Sequence, residues 1–196
     1  KENELALEFV VNDFRVEQRP DSKSLRKLEK GIKKGHRINF CATAVEGVGL
    51  GAVGVGLPDI PLFLGVLLKG IYETAVSYGY NFKEEKEQIL ILKMISAALS
   101  RDDKKREADN EVEKWLERIN VERGSVNLGS VTANMEEEIK NASSALSETM
   151  LLSKFLQGFF VVGMIGGIAN PYIYQKVLKY VSIKYKKRYI NEKRRV

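Results

Sequence analysis

Apolar residues recur along this chain at three- and four-residue intervals, and nowhere does a sustained period of two appear. That pattern predicts helices and no sheet. Leu5, Phe9, Asn12 or Asp13, and Val16 mark a first helix over residues 4–18, stopped by Pro20. Ser22 resembles the N-cap of a second, basic helix reaching Lys30 or Lys34, with Leu25, Leu28 and Ile32 as its thin apolar stripe. Asp59 is placed to cap a third helix opening at or near Pro61. Phe63, Leu64, Leu67, Leu68, Ile71 and Thr74 or Ala75 line it, and it ends between Ser77 and Gly79. Asn81 and Glu84 have capping-box spacing ahead of Ile89, Leu92, Ile95, Ser96 and Leu99. A polar stretch from Asp102 to Arg118 keeps Ala108, Val112, Trp115, Leu116 and Ile119 as its buried stripe. After a glycine- and serine-bearing loop, another helix is expected near Thr132, carrying Met135, Ile139, Ala142, Leu146 and Met150. Asn170 and Pro171 read as the cap and first turn of a last helix with Tyr172, Val177, Leu178 and Val181.

Two segments depart from this amphipathic pattern. Between Phe40 and Leu68 the formal charges are Glu46 and Asp59 alone, and glycine stands at 47, 49, 51, 54 and 56. Gly47 with Gly51, Ala52 with Gly56, and later Gly163 with Gly167 have the spacing that lets two helices approach closely in apolar surroundings. The expectation is an all-α fold: a single multi-helix bundle over residues 1–196, with these two glycine-rich apolar helical segments at its centre. Residues 1–20 would form a peripheral N-terminal helix. Neither segment reads as a clean membrane span, because acids and prolines interrupt the first and the second is at the lower length limit.

Charge changes the picture more than composition does. The 196 residues carry a net +6, but Arg19–Arg37 is net +6 and Lys176–Arg195 is net +8, so the remainder is net −8. Lys30, Lys33, Lys34, Arg37, Lys184, Lys186, Lys187 and Arg188 are therefore expected on a basic surface. A basic rim beside apolar segments fits an anionic phospholipid or membrane surface, at about 1 kcal/mol per well-placed cation. No nucleic-acid reading helix or aromatic strand module accompanies it, so nucleic acid is not the expected partner. Tyr72, Tyr78, Tyr80, Tyr172 and Tyr174 flank the apolar segments, where they suit membrane-interface anchoring and ordinary hydrogen-bonded packing equally. The first residues, Lys1 to Leu7, do not form a signal peptide.

Candidate chemistry is sparse. One cysteine, Cys41, and one histidine, His36, exclude an intrachain disulfide and a zinc site with two histidines. Gly49, Gly51 and Gly54 satisfy a dinucleotide-type spacing, but no strand–helix alternation surrounds them and no phosphate-loop Gly-Lys-Ser/Thr exists. No Gly-x-Ser-x-Gly elbow exists either. Neither a metal nor a cofactor is expected. Asp59, an acid in apolar company, is the single catalytic candidate, against the simpler role of a helix cap.

Several blocks in fixed order carry a resemblance. Gly49-Leu50-Gly51 leads to Leu57-Pro58-Asp59-Ile60-Pro61. Tyr78-Gly79-Tyr80-Asn81 follows, then Val162-Gly163 to Gly166-Gly167-Ile168-Ala169-Asn170, and a basic stretch from Tyr180 to Tyr189. Together they resemble the EcsC protein family over about residues 20–190, with a looser similarity of texture to the spartin-like senescence domain. The resemblance implies a bacterial, mostly helical protein, some relatives of which are associated with a transporter operon, and it carries no catalytic role to Asp59. The expected function is a lipid-binding or membrane-associated helical protein, cytoplasmic and peripheral at the inner face of the membrane. The alternatives are a helical adaptor or regulator of a membrane transporter or other protein, and a hydrolase using Asp59.

Overall fold

The computed structural model describes residues 2–18, 23–32, 34, 60–124, 134–156 and 166–194. Among these residues the regular structure is entirely α-helical. The helices are α1 (Glu2–Gln18), α2 (residues 23–32), α3 (Ile60–Ser77), α4 (Glu85–Leu99), α5 (Asp102–Gly124), α6 (Met135–Leu156) and α7 (Gly166–Lys193). The chain divides into two compact units, Lys1–Phe82 with Phe160–Tyr174, and Lys83–Phe159 with Gln175–Val196.

In the first unit, α1 packs on α3. Asn12 and Val16 from α1, Leu28 and Ile32 from α2, and Phe63, Leu67, Ile71 and Ala75 from α3 are buried. Thr74 and Ser77 point polar oxygens into the same helix, and their hydroxyls donate to the Gly70 and Glu73 carbonyls at 2.7 Å each. The end of α3 is fixed by a Schellman motif. The Tyr80 amide donates to the Ala75 carbonyl at 2.9 Å and the Gly79 amide to that of Val76 at 2.9 Å. Gly79 takes the left-handed φ of 81° that this motif requires. Tyr80 and Ala75, the residues that the motif brings together, are both buried.

In the second unit, α4 lies between α5 and α6. Ile89, Leu90, Met94, Ile95, Ala97, Ala98 and Leu99 of α4 are buried, with Val112, Trp115, Leu116 and Ile119 of α5 and Ala142 and Leu146 of α6. The Trp115 indole N–H, which would be costly to bury alone, donates to the Lys86 carbonyl at 3.0 Å. Lys93 of α4 pairs with Glu138 of α6 in a largely buried contact. Acids in the first turns of α5 and α6 suit the positive ends of those helices.

This core corrects the expectation of two glycine-rich apolar helices at the centre. The described core of each unit is built from large side chains, and no described helix is long and apolar enough to cross a membrane. The physical reason is area. A buried Leu, Ile, Val or Met side chain stabilises by about 1.5–3 kcal/mol, and a glycine has no side chain to bury. In α3, Gly65 is exposed and faces open space, whereas Gly70 is buried. Gly47, Gly51, Gly54, Gly56 and Gly163 lie outside the described residues, and Gly167 is in the first turn of α7.

Three boundaries also differ from the sequence reading. The N-cap of α4 is Glu84, with no side-chain capping bond, so Asn81 and Glu84 form no capping box. α6 begins at Met135 behind Asn134, whose Oδ1 accepts the Glu136 amide at 3.1 Å. Its stripe is rotated from the expected one, with Glu138 buried on Lys93 and Ile139 exposed. α7 begins at Gly166, so Pro171 sits within the helix, where it forgoes one backbone bond, to the Gly167 carbonyl.

Candidate functional site

Helix α7 has two faces of opposite character. From Gln175 onward its inner positions Val177, Leu178, Val181, Lys184, Tyr185, Arg188 and Tyr189 are all buried. Their spacing of three and four is that of one helix face. Two of these inner residues are cations, and buried cations require partners.

Both have them. Arg188 is 2% exposed and Glu87 of α4 is 1% exposed. The Arg188 Nη1 donates to Glu87 Oε2 at 2.9 Å and to Oε1 at 3.1 Å, and the Tyr185 hydroxyl donates to Oε1 at 2.8 Å. The Arg188 Nε reaches Glu192 on the next turn at 3.2 Å. Lys184 sits between two acids of α5, with Nζ 2.7 Å from Asp109 Oδ1 and 2.6 Å from Glu113 Oε1. Tyr180 donates its hydroxyl to Asp109, and Lys187 reaches Glu113 Oε2 at 2.8 Å. The Lys184 ammonium also lies 5.2 Å from the Tyr180 ring centroid.

The electrostatics follow from that geometry. Burial pushes the Asp109 carboxyl up, but the hydrogen bonds from Lys184 and Tyr180 and the charges of Lys184 and Lys187 outweigh it, so its pKa falls below the usual range. Glu113 is depressed in the same way, with burial overcome by Lys184 and Lys187. The Tyr180 phenol is raised, first by burial and then by its bond to Asp109. Asp109, Glu113 and Lys184 thus form a fixed ion network, while Tyr180 remains a donor.

The outer face of α7 is different. Lys176, Lys179, Ile183, Lys186, Lys187 and Arg194 recur at helical spacing, and Ile183 is 55% exposed. From Gln175 to Asn191 the helix carries no acid. The Lys176 ammonium is disfavoured by burial and then by the charges of Lys105 and Arg101, so its pKa is lowered. Among the described residues, no group of acids, histidine or cysteine is arranged to hold a metal ion.

Comparison with known proteins places this architecture. The model of the EcsC protein family matches residues 6–190, which takes in part or all of each of the seven described helices and the α5–α7 ion network. The chain belongs to the EcsC protein family. It is 34% identical over 74 residues to the protein named EcsC of Bacillus subtilis (strain 168), covering 37% of this chain and 31% of that protein. It is 30% identical over 167 residues to the uncharacterized protein YdbA of the same strain, covering 85% of this chain and 58% of that one. The chain therefore spans less than two thirds of either relative. No solved structure matches.

In this EcsC-family chain the residues singled out from sequence are dispersed. Asp59, Lys33 and Arg37, together with His36, Cys41 and Glu46, lie outside the described residues. Lys30 and Lys34 are exposed. Lys184 and Arg188 are corrected from basic surface to buried ion pairs, because the inner stripe of α7 passes through both and acids of α5 and α4 meet them. Lys186 is half-buried and Lys187 is exposed in its pair with Glu113. Of the tyrosines, Tyr78, Tyr80 and Tyr174 are buried, Tyr72 stacks on Phe82 with centroids 4.3 Å apart, and Tyr172 is exposed. Lys176, Lys179, Ile183, Glu87, Asp109 and Glu113 were not singled out individually. The signal for the first three was their shared helical phase, and for the acids nothing short of a partner helix would have revealed it.

Proposed function

We propose that the protein docks on an anionic membrane surface through the outer face of α7. The observation that supports this most is the row Lys176, Lys179, Lys186 and Arg194 around the exposed Ile183, on a face that carries no acid from Gln175 to Asn191. Such a face meets anionic headgroups with its cations while one aliphatic side chain enters the interface. Four cations at about 1 kcal/mol each supply about 4 kcal/mol, which is a weak, reversible attachment. It weakens as salt rises, because dissolved ions screen cations that remain in reach of solvent. The buried pairs of Lys184 and Arg188 hold the face outward.

Flotation tests the reading directly. The protein is expected to float with phosphatidylglycerol vesicles at low salt, to leave them at high salt, and to ignore phosphatidylcholine vesicles. K179Q/K186Q should reduce the bound fraction. Failure to float with anionic vesicles at low salt ends the proposal.

A second contact is favoured by α1, where Leu7, Val10, Val11 and Phe14 form an exposed apolar stripe with acidic neighbours such as Glu4 and Glu8. Acids beside an apolar stripe suit a protein surface better than anionic lipid, as in an adaptor for a membrane protein such as a transporter. L7S/F14S should then lower binding to native bacterial membranes and leave binding to protein-free liposomes of the same lipids unchanged. Equal loss on both would remove this reading.

A further inference from the structure

We infer that Arg101, Lys105 and Lys176 form a binding site for a phosphate monoester. The inference deepens the membrane reading above and rests on it for the source of the phosphate, a lipid headgroup.

α5 and α7 run parallel in the second unit, because their contacts advance together. Asp109 meets Tyr180 and Glu113 meets Lys184, each pair 71 residues apart. One turn toward the N-terminus of each helix, the same separation sets Lys105 opposite Lys176. The next two rungs of this ladder each place an acid of α5 between donors of α7. The first rung has a cation on both sides, and Arg101 immediately precedes α5, its carbonyl accepting the Lys105 amide at 3.2 Å.

Among the described residues the side chains of Arg101, Lys105 and Lys176 make no ion pair or hydrogen bond. Asp102 and Asp103 stand at the same end of α5, but both are exposed and neither pairs with the three cations. The proximity has an energetic signature, since Lys105 and Arg101 both oppose the charge of a half-buried Lys176. An anion seated between them replaces the acid that this rung lacks.

Charge selects the kind of phosphate. A monoester carries about −1.5 to −2 at neutral pH and presents three acceptor oxygens, enough for three cations. A diester headgroup carries one charge and leaves the site under-neutralised. Phosphatidic acid supplies the monoester on a membrane, and glycerol 3-phosphate or inorganic phosphate supplies it in solution.

The test compares vesicles of phosphatidylcholine doped with phosphatidic acid or phosphatidylglycerol at matched surface charge. Wild-type protein should bind the phosphatidic acid vesicles more tightly. K105Q/K176Q should lose that preference, with affinity for them falling about tenfold or more, whereas K179Q/K186Q should weaken both vesicle types equally. In solution, inorganic phosphate should raise the melting temperature of wild type and not that of K105Q/K176Q. K176E restores an acid–base rung in place, so it should fold with a raised melting temperature and lose the response to phosphate, which separates lost binding from lost structure. Equal binding to the two vesicle types together with no phosphate response overturns the site. A wild-type protein that ignores every anionic vesicle but responds to inorganic phosphate through Lys105 and Lys176 overturns the membrane reading, keeps the site and assigns it a soluble monoester.

Discussion

Glu87 and Arg188 face each other inside the second unit, with the guanidinium spanning both carboxylate oxygens and the Tyr185 hydroxyl on one of them. Replacing a single partner leaves the other charge buried. E87Q is expected to cost about 3–5 kcal/mol, read as a lower midpoint in urea denaturation. E87L/R188M removes both charges and should recover most of that loss. A double variant as unstable as E87Q would show that the pair is not the source of the effect.

The α5–α7 ion network predicts an acid limb of stability. Asp109 and Glu113 have folded-state pKa values below their usual range. Their contribution is therefore present above the unfolded carboxylate range and is lost as pH falls through the depressed values. Unfolding free energy should be flat near neutrality and decline below about pH 4. D109N/E113Q should flatten that decline. Both acids are partly exposed, so solvent screens the effect and added salt should shrink it.

Gly79 ends α3 at positive φ, and a Cβ added there would overlap the Phe9 ring of α1. G79A therefore meets two penalties, a left-handed backbone with a Cβ at about 1–2 kcal/mol and the displacement of Phe9. A double-mutant cycle with F9A separates them, and the clash component should vanish in the F9A background. Additive losses would mean that the ring moves aside without cost.

The exposed stripe of α1 predicts a dissociation of stability from binding. Leu7 is 67% exposed and Phe14 60% exposed, so L7S/F14S gives up little buried area. Its melting temperature should stay within a few degrees of wild type, while contact with native membranes falls. A large drop in melting temperature would mean that the stripe is covered in the folded protein.

The helical plan was legible where one face is apolar over several turns. Val112, Trp115, Leu116 and Ile119 are buried as the spacing predicts, and so are Phe63, Leu67 and Ile71. The end of α3 at the Tyr78-Gly79-Tyr80 block was legible because a left-handed cap favours glycine. Legibility failed where a polar residue occupies an inward position. Lys184 and Arg188 read as surface cations, and Glu87 and Glu138 carry no mark of burial, because the partners of all four lie 45 to 101 residues away. Glycine spacing misled for a related reason, since it reports what a segment permits and not what fills a core. The outer face of α7 was half visible. Its charge showed in the composition, but which lysines point outward depended on which two were needed inside.

The distance in sequence between Glu87 and Arg188 has a consequence for biosynthesis. The arginine follows its acid by 101 residues, so a nascent chain carries α4 out of the ribosome long before the counter-charge is made. Until α7 emerges, the first turn of α4 has an acid that only water can satisfy, and that end of the unit cannot dry. A stalled or clipped chain lacking α7 would therefore be left wet at one end and open to proteolysis, which makes arrival of α7 a built-in check that translation has run through it.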